Sequence, residues 1–312
     1  MATSLVTGGA GFIGSHLVET LVAQGQQVRV LDDLSTGKVD NLRSVRNRVQ
    51  LLQGSITDAA AVRAAVAGCE RVFHLAALPS VQRSVEDPYS SHEVCDTGTV
   101  RVLDAARQAG VRRVVYAASS SAYGDIPGAV RSEDEPVAPL SPYAAAKLAG
   151  EYYCRSFTVV YGLETVRLRF FNIFGPRQDA HSPYSGVIAL FIAAMAAGKQ
   201  PTIFGDGLQS RDFTYVANAV QALCKAAEAP AAVGNVYNVG NGATTSVLEL
   251  VRQLNHLLGS RLEPIHATPR AGDVRQSQAD ISRARRDLHY DPTISFAEGL
   301  RRTLEAHRGV KR

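Results

Sequence analysis

The sequence predicts an α/β fold: a doubly wound parallel sheet joined to a smaller, discontinuous α/β unit. Three observations carry that expectation. Short apolar runs recur at TSLVT (3–7), QVRVL (27–31), VQLL (49–52), RVFHLAA (71–77) and RRVVYAA (112–118). Their near-continuous Val, Leu and Ile content suits strands buried on both faces. Between them lie helix-like stretches such as SHLVETLVAQG and TVRVLDAARQAG, each ending in glycine. Strand–helix–strand alternation of this kind implies right-handed crossovers and a parallel sheet.

Each later element follows from local chemistry. Ser141 is a good helix N-cap and Pro142 suits a first helical turn, so a helix is expected over 142–161. TVRLRFFNIF should follow as the sixth strand, and NVYNV at 235–239 as one more. GPRQDAHSPYSG reads as a long loop, with a helix expected at 186–197. The expected division is 1–177 plus 214–240 for the sheet unit and 178–213 plus 241–312 for the smaller one.

Bulk composition narrows the function. In 312 residues, 33 Lys+Arg against 29 Asp+Glu leave a net charge of +4, too mild to imply nucleic acid but compatible with an anionic small molecule. Cys69, Cys95, Cys154 and Cys224 form no CxxC pair, so neither zinc nor a redox motif is suggested, and a reducing, cytoplasmic compartment is expected. No apolar run approaches membrane-spanning length, and the N-terminus shows no basic leader, so no membrane partner is expected.

The first strand runs into TGGAGFIGSHL. Gly8, Gly11 and Gly14 permit a tight turn and close approach of a pyrophosphate to the next helix's N-terminus. A Gly-rich turn between strand and helix is the context a dinucleotide fingerprint demands. Asp32 ends the second strand, where a carboxylate accepts from a ribose hydroxyl and repels a 2′-phosphate; NAD is favoured over NADP. In SPYAAAK, Tyr143 and Lys147 stand four residues apart on one helical face.

Together with HLAAL (74–78), ASSSAYGD (118–125), FFNIFGPRQD, GDGLQSRDFTYV and RAGDVRQSQADIS, these features resemble the extended short-chain dehydrogenase/reductases, whose core is a Rossmann fold. Within them the chain is most similar to NAD-dependent nucleotide-sugar epimerases. The resemblance implies Tyr143, Lys147 and Ser119 as the catalytic group, with Ser120 assisting. It implies NAD contacts along Gly8, Gly11, Phe12, Ile13, Gly14, Asp32, Asp33, Ser35, Thr36, Gly37, Ser55, Ile56, Leu75, Ala76 and Ala77, besides Tyr143 and Lys147. A UDP-sugar would meet Ser119, Ser120, Ser121, Asn172, Phe204, Arg211, Arg270, Asp273 and Ser277. Ser55 and Cys95 depart from the Asp and Asn frequent in the family.

The implied reaction is epimerisation at C4 of a UDP-hexose through a 4-keto sugar. Small Ser277 stands where strict UDP-glucose epimerases carry tyrosine, which implies room for an N-acetyl group. Ser120 and Ser121 occupy slots where 4,6-dehydratases carry acids, and serine does no acid–base work at neutral pH. A dehydrogenase, a uronate epimerase or decarboxylase, and a non-catalytic NAD-binding sensor are the alternatives. The resemblance also implies a homodimer formed through helices near 90–109 and 142–161. For Tyr143 to act as a base its pKa must fall about three units, roughly 4 kcal/mol. An ammonium about 4 Å away is expected to supply roughly that at an effective dielectric of 20, with the positive nicotinamide ring of bound NAD adding more.

Overall fold

The computed structural model describes residues 3–180, 186–269 and 274–310. Seven strands form the main sheet: β1 (Thr3–Thr7), β2 (Gln27–Asp32), β3 (Val49–Gln53), β4 (Arg71–His74), β5 (Arg113–Ser119), β6 (Glu164–Phe170) and β7 (Val236–Val239). Every neighbouring pair is parallel, in the order β3-β2-β1-β4-β5-β6-β7. The order reverses between β1 and β4, the switch point at which doubly wound sheets open a crevice at their carboxyl edge.

Successive strand residues feed opposite faces. Val6, Phe73 and Val115 join Leu17 and Leu21 of α1 (Phe12–Ala23) in one core. Leu5, Val72 and Val114 join Val62 of α2 (Ala59–Val66), Val102 of α3 (Gly98–Gln108) and Phe157 of α4 (Pro142–Tyr161) in the other. Each fully buried leucine stabilises the fold by about 1.5–3 kcal/mol. Leu223 of α5 (Val216–Glu228) completes the first layer.

The start of α4 follows its expected chemistry. Ser141 Oγ accepts from Ala144 N at 3.1 Å, Pro142 opens the first turn, and Gly162 closes the helix at φ +71°. The stretch before α3 differs from one smooth helix. A turn over Pro88–His92 passes into a π-helical turn, Glu93–Thr97, before α3 begins. Such a turn holds one residue more than α-helical winding and re-aims its side chains. Here it leaves Cys95 only 1% exposed.

The expected sixth strand is interrupted. β6 stops at Phe170, Asn172 turns left-handed at φ +39°, and Ile173–Phe174 pairs with Thr214–Tyr215 instead. A four-stranded sheet orders Thr245–Ser246, Ser210–Arg211, Gln276–Ala279 and Val130–Arg131. Val130–Arg131, which lies inside the 1–177 stretch, thus reaches across to the smaller sheet. The helix over Val187–Ala196 buries Ile188, Phe191, Ile192 and Met195 against the first core.

Candidate functional site

The loops after β1, β4, β5 and β6 converge at the switch point. Gly8 sits at φ +69°, and a Cβ there would lie 2.8 Å from Ala76 N, so the β1 and β4 loops touch only because residue 8 is glycine. A Cβ on Gly14 would lie 2.1 Å from Gly8 O, so α1 seats directly on the turn. Gly11 differs: a Cβ there would meet only Gly8 O, at 3.1 Å. It caps α1 without a side-chain hydrogen bond, and no acidic residue occupies the first turn that Phe12 and Ile13 begin. The open N–H groups and unobstructed approach suit a pyrophosphate.

Asp32 is buried at the end of β2. Its carboxylate accepts from Ala10 N and Leu34 N, each at 2.9 Å, tying the glycine turn to the strand, and burial raises its pKa. A Cβ on Gly37 would lie 2.7 Å from Asp32 Oδ1, so the 33–37 loop folds against the carboxylate. Asp33, Ser35 and Thr36 line that loop's exposed side, where Asp33 Oδ1 accepts from Ser35 N and Oγ. Ser55 bonds Thr57, while Ile56 is a core side chain packed on Gly98. Only the backbone of Ile56 can therefore face a cofactor. Leu75, Ala76 and Ala77 are half-buried along the same edge.

Ser119 ends β5. Its Oγ accepts from Ser121 Oγ at 2.8 Å and Ser121 N at 3.2 Å, and it hydrogen-bonds the Tyr143 hydroxyl. With both acceptor positions met by Ser121, the Ser119 proton is directed to Tyr143. Ser119 thereby also caps the short turn over 120–123, and Ser120 and Ser121 are half-buried beside it. Lys147 is 3% exposed; its Nζ donates to Ala117 O at 2.9 Å and lies 4.9 Å from the Tyr116 ring centroid.

Burial dominates the electrostatics of the Tyr143 and Lys147 side chains. Burial pushes the Tyr143 phenol well above its ordinary pKa, and the one group drawing it down is Ser119. Lys147 is itself lowered by burial. The ammonium donates to Ala117 O and faces the Tyr116 ring, and Ser119 rather than Lys147 is the group that draws the phenol down. Cys95 lies beside both groups and packs with Leu78 and Ala146.

The other predicted contacts gather around the smaller sheet. Asn172 Nδ2 donates to Asp212 O at 3.1 Å, and Arg211 and Ser277 are register partners in adjacent parallel strands. Phe204 is half-buried at the end of Thr202–Phe204, paired with Ile265–Ala267. Arg270 and Asp273 lie outside the described residues. Among the described residues no cluster of His, Cys, Asp and Glu could hold a metal ion.

Three supporting groups escaped sequence reasoning. Glu151, one turn after Lys147, is buried and accepts from Arg169 Nε at 2.9 Å and Nη2 at 2.8 Å, while the Arg169 guanidinium lies 4.7 Å from the Tyr123 ring centroid. His74 is held between Thr7 Oγ1 (2.8 Å) and Thr99 Oγ1 (3.0 Å), and burial drops its pKa to about 3. Thr99 donates to Cys95 O, so His74 Nε2 carries the proton. Asp212 is the third. The i+4 spacing from Lys147 is the local signal that could have found Glu151; nothing local marks Arg169 or Thr7.

The family model described as the NAD dependent epimerase/dehydratase family matches residues 4–240. The chain belongs to that family. This epimerase/dehydratase is 44% identical to the UDP-glucose 4-epimerase of Mycolicibacterium smegmatis, over 98% of each chain. Its fold matches UDP-glucose 4-epimerase of Thermotoga maritima, solved with UDP-glucose, with a TM-score of 0.95 and 37% identity over 99% of this chain and 100% of that one. UDP-N-acetylglucosamine 4-epimerase from Methanobrevibacter ruminantium, solved with UDP-N-acetylmuramic acid, aligns with a TM-score of 0.95 and 36% identity, covering 99% of both.

Proposed function

We propose that this protein interconverts UDP-hexoses by inverting C4, with NAD held in the switch-point crevice, and that it accepts N-acetylated UDP-hexoses as well as UDP-glucose and UDP-galactose. One observation supports this most: the hydroxyls of Ser119 and Tyr143 meet one turn from a buried ammonium, at the edge where the glycine turn leaves an anion site open.

The residues fit NAD. Gly8 and Gly14 let the turn close on the β4 loop and on α1, Gly11 leaves the approach to the helix N-terminus open, and Asp32 places a carboxylate at the end of β2. When bound, NAD supplies a hydride acceptor and donor at the sugar carbon. Tyr143 takes the proton of the sugar 4-hydroxyl, with Ser119 passing it, and returns it to the 4-keto oxygen. Lys147 orients the phenol's surroundings and offsets negative charge as the proton leaves. Asn172, Arg211, Phe204 and Ser277 position the UDP-sugar, with Arg270 and Asp273 in the same set.

Dimerisation is part of the proposal. Tyr152, Val159 and Val160 are 56%, 77% and 65% exposed on one stripe of α4. An apolar stripe on an outer helix face suits a self-complementary contact. A cytoplasmic location is our reading too: all four cysteines are free. No helix among the described residues is long and apolar enough to cross a membrane.

Incubation with each of UDP-glucose, UDP-galactose, UDP-GlcNAc and UDP-GalNAc, with products resolved by NMR, tests the activity. Conversion to the C4 epimer without net NADH at 340 nm is the expected outcome. Stoichiometric NADH would make the protein a dehydrogenase, and no turnover of any of the four would remove the epimerase assignment.

A further inference from the structure

Asp212 has no exposed surface. Its Oδ1 accepts from Asn241 N at 2.7 Å, and its Oδ2 from Gly242 N at 2.9 Å and Ala279 N at 3.2 Å. Its own N–H donates to Ser277 O at 2.8 Å, and its carbonyl accepts from Asn172 Nδ2. One residue therefore bonds directly to Asn172 and Ser277, follows Arg211 in the chain, and grips the loop after β7. The fit is close: a Cβ on Gly240 would lie 2.7 Å from Asp212 Oδ2 and 2.4 Å from Ala279 Cβ.

A buried carboxylate is a costly way to join strands, since desolvation opposes the charge. It does what an amide cannot. Two oxygens with several lone pairs accept from two separate segments at once, whereas an asparagine turns a donor toward one of them. Strand alternation puts Asp212 on the face away from Arg211. Register partners share a face, so the Arg211 and Ser277 side chains stand together on the opposite side.

We infer that Asp212 is a positioning residue for the nucleotide-sugar: its carboxylate locks the end of the Ser210–Arg211 strand to the Gly240–Gly242 loop and the Gln276–Ala279 strand, setting Arg211, Ser277 and Asn172 toward one ligand. This deepens the proposed function and rests on it for the ligand's class. Asp212 touches no reacting atom, so its loss shows in ligand affinity rather than in the chemical step.

The test is Asp212→Asn in the full chain, beside Val62→Ala, which opens a cavity in the remote core under α2. UDP affinity is measured by calorimetry, KM and kcat on UDP-hexoses, and bound NAD after denaturation. Asp212→Asn is expected to weaken UDP at least tenfold and raise KM to match, with kcat within threefold and NAD content unchanged; Val62→Ala should lower the melting temperature without moving KM. Unchanged UDP affinity in folded Asp212→Asn, or an equal KM rise in Val62→Ala, overturns the inference. If Asp212→Asn does not fold, amide exchange in the wild type decides. UDP should slow exchange in peptides covering 238–244 and 276–281, and no slowing overturns it. Wild type that binds UDP yet converts no UDP-hexose would sink the epimerase reading alone and leave Asp212's role to be judged by UDP affinity.

Discussion

Tyr143 shows how a side chain's position and its readiness can part company. The helix start at Ser141 places the phenol one turn from Lys147, and β5 brings Ser119 to it, yet burial holds its proton tightly. Replacing the hydroxyl removes the acid–base group with little change in packing. Tyr143→Phe should cut kcat by 10²–10⁴-fold while leaving the thermal unfolding midpoint and NAD content near wild type. Ser277→Tyr is expected to spare UDP-glucose turnover and to lower turnover of UDP-GlcNAc at least tenfold, because it fills the space beside Arg211; equal acetamido-sugar rates in both proteins would remove the size argument. His74 carries a stability prediction. Its folded pKa of about 3 lies below the ordinary 6.5, so its stabilising effect is complete above pH 6.5 and is lost as pH falls toward 3. Between pH 6.5 and 4.5 the loss is about 2 kcal/mol. Urea unfolding at both pH values should show a shallower decline in His74→Gln than in wild type.

At the scale of elements, α4 and β6 are clamped by the Glu151–Arg169 pair, buried beneath the catalytic turn. Breaking such a pair leaves an unpaired buried charge, which costs about 3–5 kcal/mol. Glu151→Leu should therefore destabilise by that order in denaturant titration, and Glu151→Leu with Arg169→Met should recover much of it. A double variant no more stable than the single one would mean the pair is not the clamp. The π-helical turn before α3 works similarly: one extra residue swings Cys95 in beside Tyr143 and Lys147. Local propensity in EVCDTG reads as ordinary helix, so the turn was not legible there. It follows from packing, with Ile56 pressed on Gly98.

At the scale of the whole molecule, α4 presents an exposed apolar stripe. Tyr152→Arg with Val159→Arg is expected to convert a dimer into a monomer of 33.3 kDa by light scattering, with the far-UV spectrum unchanged. A wild type that is already monomeric at micromolar concentration would defeat the dimer proposal. The smaller sheet joins chain segments distant in sequence: Val130–Arg131 pairs with Gln276–Ala279. That crossing was not legible from spacing, because a two-residue strand carries too little periodicity to register.

Apolar runs and glycine punctuation were enough to set the parallel sheet, the positions of its strands and the Gly8–Gly14 turn. Those features depend on neighbours a few residues away, and their chemistry is local. Asp32, Tyr143 and Lys147 were legible for the same reason, each lying at a fixed offset from a strand or helix end. The protonation of Tyr143, the clamp of Arg169 on Glu151, the seating of His74 between Thr7 and Thr99, and the reach of Asp212 to three amides all needed the folded chain. Burial and long-range hydrogen bonds set them, and both arise from residues 18 to 67 positions apart that only packing brings within 3 Å or so.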